Sequence, residues 1–116
     1  MENKIKEKLE QIKYNHAYFD MAGGPTNREN IYIPLSMKLK DCLRRKYIYY
    51  HIKYGIDTLR FTIGKIPDKN LEVIAICYPK DNYSRKIGRN IVRSRIKQYL
   101  KNKVDIDKYP WIYILK

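Results

Sequence analysis

Between Leu71 and Lys103 the chain passes from an apolar run to a cationic one, and few small folds accommodate both. Leu71-Glu72-Val73-Ile74-Ala75-Ile76-Cys77-Tyr78 is rich in β-branched and apolar residues, with Glu72 its one interruption, so it reads as a largely buried strand. Pro79 ends it. Asp81, Asn82 and Ser84 then offer side-chain oxygens that can satisfy the first unpaired N–H groups of a helix, expected from about residue 84 to 102. From Ser84 to Lys103 there are eight Lys or Arg residues and no Asp or Glu, so no partner on the helix itself neutralises its field.

At about 100° per residue, Val92, Ile96, Tyr99 and Leu100 fall on one arc with Gly88, and Ile91 at its edge; this arc is expected on a sheet. Lys86, Arg93, Lys97 and Lys101 share the opposite arc. Arg89 falls at the boundary, and Arg95 falls inside the apolar arc, where an unpaired guanidinium is costly. Arg95 therefore needs either a carboxylate, such as Asp57, Asp81 or Asp105, or a ligand anion.

A chain of 116 residues with 44% hydrophobic content forms one domain, residues 1–116, able to bury a core without disulfides and to fold alone or as a small oligomer. The net charge of +13 makes a polyanion the natural partner. No apolar run approaches the ~20 residues that span a bilayer, and the N-terminus is not a signal peptide, so a cytoplasmic protein without a membrane partner is expected. Cys42 and Cys77 are isolated, and so are His16 and His51. With no metal-ligand spacing, no Ser/His/Asp constellation and no glycine-rich phosphate loop, the expectation is no enzyme, no metal and no cofactor. Twelve Tyr against two Phe provide aromatic surfaces with a polar tip.

Ile5, Leu9, Ile12, His16 and Phe19 recur at helical spacing, which predicts an amphipathic N-terminal helix over residues 3 to 19. Asp20 to Asn30 reads as a long loop, and Arg28 in it is a further candidate ligand contact. Ile31-Tyr32-Ile33 is a short strand candidate, and Ser36 caps a brief helix from Met37 to about Arg45. From Lys46 to Tyr54 near-alternating Tyr and Ile favour a strand, although Leu39, Leu43, Tyr47, Tyr50 and Tyr54 also fit a helical stripe. Leu59, Phe61 and Ile63 alternate with Arg60, Thr62 and Gly64 as a half-buried strand, and Pro67-Asp68 turns it back into the 71–78 run. Trp111 to Leu115 is a final strand. The chain is expected to be α+β, an antiparallel sheet of three to five strands with the N-terminal and basic helices packed on one face.

The segment Cys77-x-Pro79-Lys80-Asp81-Asn82-Tyr83-Ser84-Arg85-Lys86-x-Gly88-Arg89 gathers cations, an amide and an aromatic ring around a helix N-terminus, an arrangement suited to a phosphate-bearing ligand. Gly88 permits close approach of a ligand or of the sheet. The segment resembles a motif of small proteins of bacteriophages and mobile elements, with Val92 where those proteins often carry Ala. The resemblance spans residues 73 to 96 and implies a role in counter-defence, as an anti-CRISPR protein or a sponge for signalling nucleotides. Ser84 to Lys97 is also similar to the basic helix of the RNase P protein subunit, with Arg89 and Ser94 in place of two Asn residues, which implies RNA contact by the helix.

The expected function is non-enzymatic binding of RNA, DNA or a ribonucleoprotein through residues 84–103, with a small-nucleotide sponge at the 79–89 turn and a plain RNA-binding accessory protein as alternatives. The candidate contacts are Lys80, Asn82, Tyr83, Ser84, Arg85, Lys86, Arg89, Arg93, Arg95, Lys97 and Lys101, with Arg28 in addition.

Overall fold

The computed structural model describes all residues except 1, 23, 28, 30, 67–69, 81, 83, 103–107 and 115–116. Its elements in chain order are α1 (Glu2–Glu10), β1 (Lys13–Asp20), β2 (Gly24–Thr26), α2 (Met37–Tyr54), β3 (Leu59–Ile66), β4 (Leu71–Ile76), α3 (Arg85–Asn102) and β5 (Ile112–Ile114). The strands form one antiparallel sheet in the order β2-β1-β3-β4-β5, so the fold is α+β. The apolar 71–76 run occupies β4 and pairs with β3 from Phe61 opposite Ile76 to Ile66 opposite Leu71. The expected Pro67-Asp68 turn lies outside the described residues.

Helices cover both faces of the sheet, where one covered face was expected. Leu39, Cys42 and Leu43 of α2 pack with Ala17, Phe19, Leu59, Phe61, Ile63 and Ile74 on one face. Leu9 of α1 and Val92 and Ile96 of α3 pack with Ile66, Leu71, Val73 and Ala75 on the other. Both parities of β3 and β4 are thereby buried, which is why β4 reads as a continuous apolar run. Thr62 and Gly64, expected to face solvent, lie under α3 instead: a Cβ on Gly64 would collide with Val92 and meet Ile12 Cγ2 at 3.1 Å, and one on Gly88 would collide with Thr62. These two glycines set the close approach of helix to sheet.

The expected helix over residues 3 to 19 ends at Glu10, and its second half is strand β1. Gln11 N–H donates to the Lys8 carbonyl and closes the helix, after which Tyr14, Tyr18 and Phe19 favour extended chain. Pairing from Lys13 opposite Lys65 to Phe19 opposite Leu59 makes β1 an inner strand, and its backbone bonds outweigh the helical stripe. His16 accordingly sits opposite Thr62, with its Nδ1 3.1 Å from Thr62 Oγ1. Part of the expected 20–30 loop is the edge strand β2, and the expected strand at 31–33 reduces to a single bridge between Tyr32 and Thr26.

The expected strand at 46–54 is also corrected, because α2 runs unbroken from Met37 to Tyr54. Ser36 Oγ accepts from Leu39 N–H at 3.3 Å at its start, and Gly55 at φ 70° stops it, donating to the His51 carbonyl at 2.9 Å. Leu39, Leu43, Tyr47 and Tyr50 then share the face turned to the core, whereas a strand would send alternate rings away from it. The first turn of α2 contains no acid, and buried Glu72 of β4 supplies one: its carboxylate accepts from Ser36 N–H at 3.2 Å and pairs with Lys65 Nζ at 3.3 Å.

Candidate nucleic-acid interface

Ser84 caps α3, its Oγ accepting from Ile87 N–H at 3.3 Å and its carbonyl from Gly88 N–H at 3.0 Å. The Gly88–Thr62 and Gly64–Val92 approaches then fix the rotation of the helix, with Val92 and Ile96 fully buried. That rotation leaves Lys86, Arg89, Arg93, Lys97 and Lys101 exposed. Arg89, Arg93, Lys97 and Lys101 are four apart, so their Cα atoms rise by ~6 Å per step along one side of the helix. No cation of α3 forms an ion pair among the described residues; the charged contacts of Arg44 with Asp41 and Lys65 with Glu72 lie on other elements.

The row borders a groove of about 270 Å³ between α1 and α3, lined by Ile5, Lys6, Leu9, Arg93, Lys97 and Lys101. Lys6 is thus the fourth cation of the groove lining, and nothing in the alternating charges of α1 set it apart from its neighbours. Tyr14 of β1 lies beneath the same row. Burial pushes its phenol above the usual tyrosine value, and the nearby Arg93 and Arg89 oppose that shift.

Arg95 leaves the row. Its Nη1 donates to the Ile74 carbonyl at 2.7 Å, and its guanidinium lies over the Trp111 ring, 4.6 Å from the centroid. Of the expected carboxylate partners, Asp81 and Asp105 lie outside the described residues and Asp57 forms no ion pair with it; among the described residues Arg95 is held by a backbone carbonyl on the outer edge of β4. There Ile74 N–H donates to the Trp111 carbonyl and β5 pairing has just ended at Val73. Arg95 caps this edge, and burial lowers its pKa from the usual arginine value.

The turn before α3 does not gather all of its candidates. Lys80 points to the opposite helix, its Nζ 5.2 Å from the Tyr54 ring centroid of α2. Asn82 is exposed and lines a cavity of about 500 Å³ with Ala75, Ile76, Tyr78, Ser84, Ile87 and Ile91, among other residues. Among the described residues that lining contains no Lys or Arg. Arg85 and Lys86 open the helix beside it, and Tyr83 and Arg28 lie outside the described residues.

Reading 46–54 as a strand concealed a second aromatic and cationic surface. Tyr50 and Tyr54 on the last two turns of α2 meet Tyr78 just past the end of β4, with centroids 5.8 Å apart for Tyr50–Tyr78 and 5.7 Å for Tyr54–Tyr78, and Tyr49 packs on Tyr50 at 5.4 Å. The Tyr54 and Tyr78 hydroxyls are hydrogen-bonded. The density of Tyr and Lys from Lys46 to Tyr54 was the available signal, and it becomes spatial only on a helix.

Among the described residues no group of His, Cys, Asp and Glu is arranged to hold a metal, and no helix is long and apolar enough to cross a membrane. Compared with known proteins, the chain matches no family model, no curated protein and no solved structure.

Proposed function

We propose that this is a non-enzymatic protein that grips a phosphate backbone, that of RNA, DNA or a ribonucleoprotein, with the exposed cations of α3 and the adjoining groove to α1. The observation that carries this reading is the row Arg89, Arg93, Lys97 and Lys101, held in phase by buried Val92 and Ile96 and left without carboxylate partners among the described residues. Cations so arranged bind phosphates with release of the condensed counterions and with no internal ion pair to break. The likeness of Ser84 to Lys97 to an RNA-binding helix points the same way, and the phage-type motif extends the proposal to interference with a host defence system from within the bacterial cytoplasm.

A sponge for a small nucleotide is the second reading, favoured by the cavity of about 500 Å³ beside the start of α3. Its lining is mostly apolar, Ser84 is engaged as a helix cap, and Lys80 is turned toward α2, so the phosphate would find few partners there. Purifying the protein at low salt and reading the 260 to 280 nm absorbance ratio, with mass spectrometry of released material, decides between the two. The α3 reading expects polymeric nucleic acid that is removed by high salt. A stoichiometric mononucleotide or dinucleotide that survives high salt would replace it with the sponge.

A further inference from the structure

The tyrosines at the end of α2 are placed unlike core residues. Tyr49 is 52% exposed and Tyr78 38% exposed, and neither belongs to either hydrophobic cluster. Lysines approach their rings: Lys46 lies 5.8 Å from the Tyr50 centroid, Lys53 5.5 Å from Tyr49 and 5.4 Å from Tyr54, and Lys80 5.2 Å from Tyr54. Lys53 Nζ also donates to the Tyr49 hydroxyl at 3.2 Å. None of these lysines is ion-paired among the described residues. The hydrogen bond from Tyr78 holds the Tyr54 phenol below the usual tyrosine value, with Lys53 and Lys80 acting in the same direction.

A cation held on an aromatic face is stabilised only weakly at an exposed site and exchanges readily for a phosphate. Once the ammonium moves to a phosphate, the ring presents a π surface to whatever flat group accompanies it. An unpaired base supplies both, the base stacking on the tyrosine while its own backbone phosphate takes up the lysine. Bases within a duplex are already stacked and turn only their edges outward, so they leave such a surface unused.

We infer that Tyr49, Tyr54 and Tyr78, with Lys46, Lys53 and Lys80, form a stacking platform for unpaired bases, so that the nucleic acid bound by this protein is single-stranded where it crosses the end of α2. The inference rests on the nucleic-acid reading of α3 and names the class of its substrate. Lys80, in the chain segment between β4 and α3, joins the platform to the side of the molecule where the α3 row begins.

The test uses equilibrium binding of the full chain to three fluorescent probes: a short oligouridylate, the matching oligodeoxythymidylate, and a blunt RNA duplex of equal length. The wild type is expected to prefer the single strands. Tyr49→Ala and Tyr54→Ala are each expected to weaken single-strand binding by about five- to 150-fold and to leave duplex binding unchanged. Tyr49→Phe retains the ring, and it is expected to bind as the wild type does. Tyr49 is exposed enough that its variants keep the fold, which the melting temperature checks. Stable variants that bind single strands as tightly as the wild type would overturn the platform while leaving the α3 reading intact. A wild type that binds none of the probes would overturn both.

Discussion

Arg95 shows how the role of one cation is set by its place on a helix. It shares α3 with the exposed row, yet its position within the apolar arc brings it over the sheet edge, onto the Ile74 carbonyl and the Trp111 ring. Replacing it with Gln removes a charge-assisted hydrogen bond and a ring contact, and leaves a carbonyl without its donor. The expected loss is about 1.5 to 3 kcal/mol of stability, read as a lower midpoint in urea, with nucleic-acid affinity per folded molecule unchanged. Affinity falling without a change in midpoint would return Arg95 to the ligand-binding residues.

At the scale of elements, the packing of α3 depends on residues that have almost no side chain. Gly64→Ala places a methyl group against Val92 and Ile12 in a fully packed layer, and the expected cost is about 1 to 3 kcal/mol of stability. Thermal melting checks this, and an unchanged melting temperature would mean that α3 lies further from the sheet than described. The extent of α3, its two faces and the β3–β4 hairpin were legible in the sequence because several local signals agreed there: a cap at Ser84, an apolar arc, and turn residues between alternating strands. Two elements were misread where signals conflicted. In β1, a helical spacing of apolar residues was overridden by seven registered pairs with β3, which no local pattern reveals. In α2, the β preference of Tyr and Ile masked a stripe from Leu39 to Tyr54 that only burial against the sheet rewards. The platform of tyrosines was lost with that misreading, and the partner of Arg95 was invisible because a backbone carbonyl leaves no mark in the sequence.

For the whole molecule, a net charge of +13 explains attraction to any polyanion and by itself selects no surface. Cations occur on both faces, with Lys38, Arg44 and Arg45 on α2 and the row on α3. The central claim is that α3 contacts the phosphates, and the dependence of affinity on salt tests it most directly. Changing Arg93, Lys97 and Lys101 together to Gln removes up to three phosphate contacts, so the slope of log affinity against log salt is predicted to fall in magnitude by about two to three units. Changing Lys38, Arg44 and Arg45 to Gln removes the same charge from the other face and is predicted to leave the slope nearly as it was. Equal reductions by the two triple variants, or an unchanged slope for the α3 variant, would contradict the assignment of the phosphate contacts to α3.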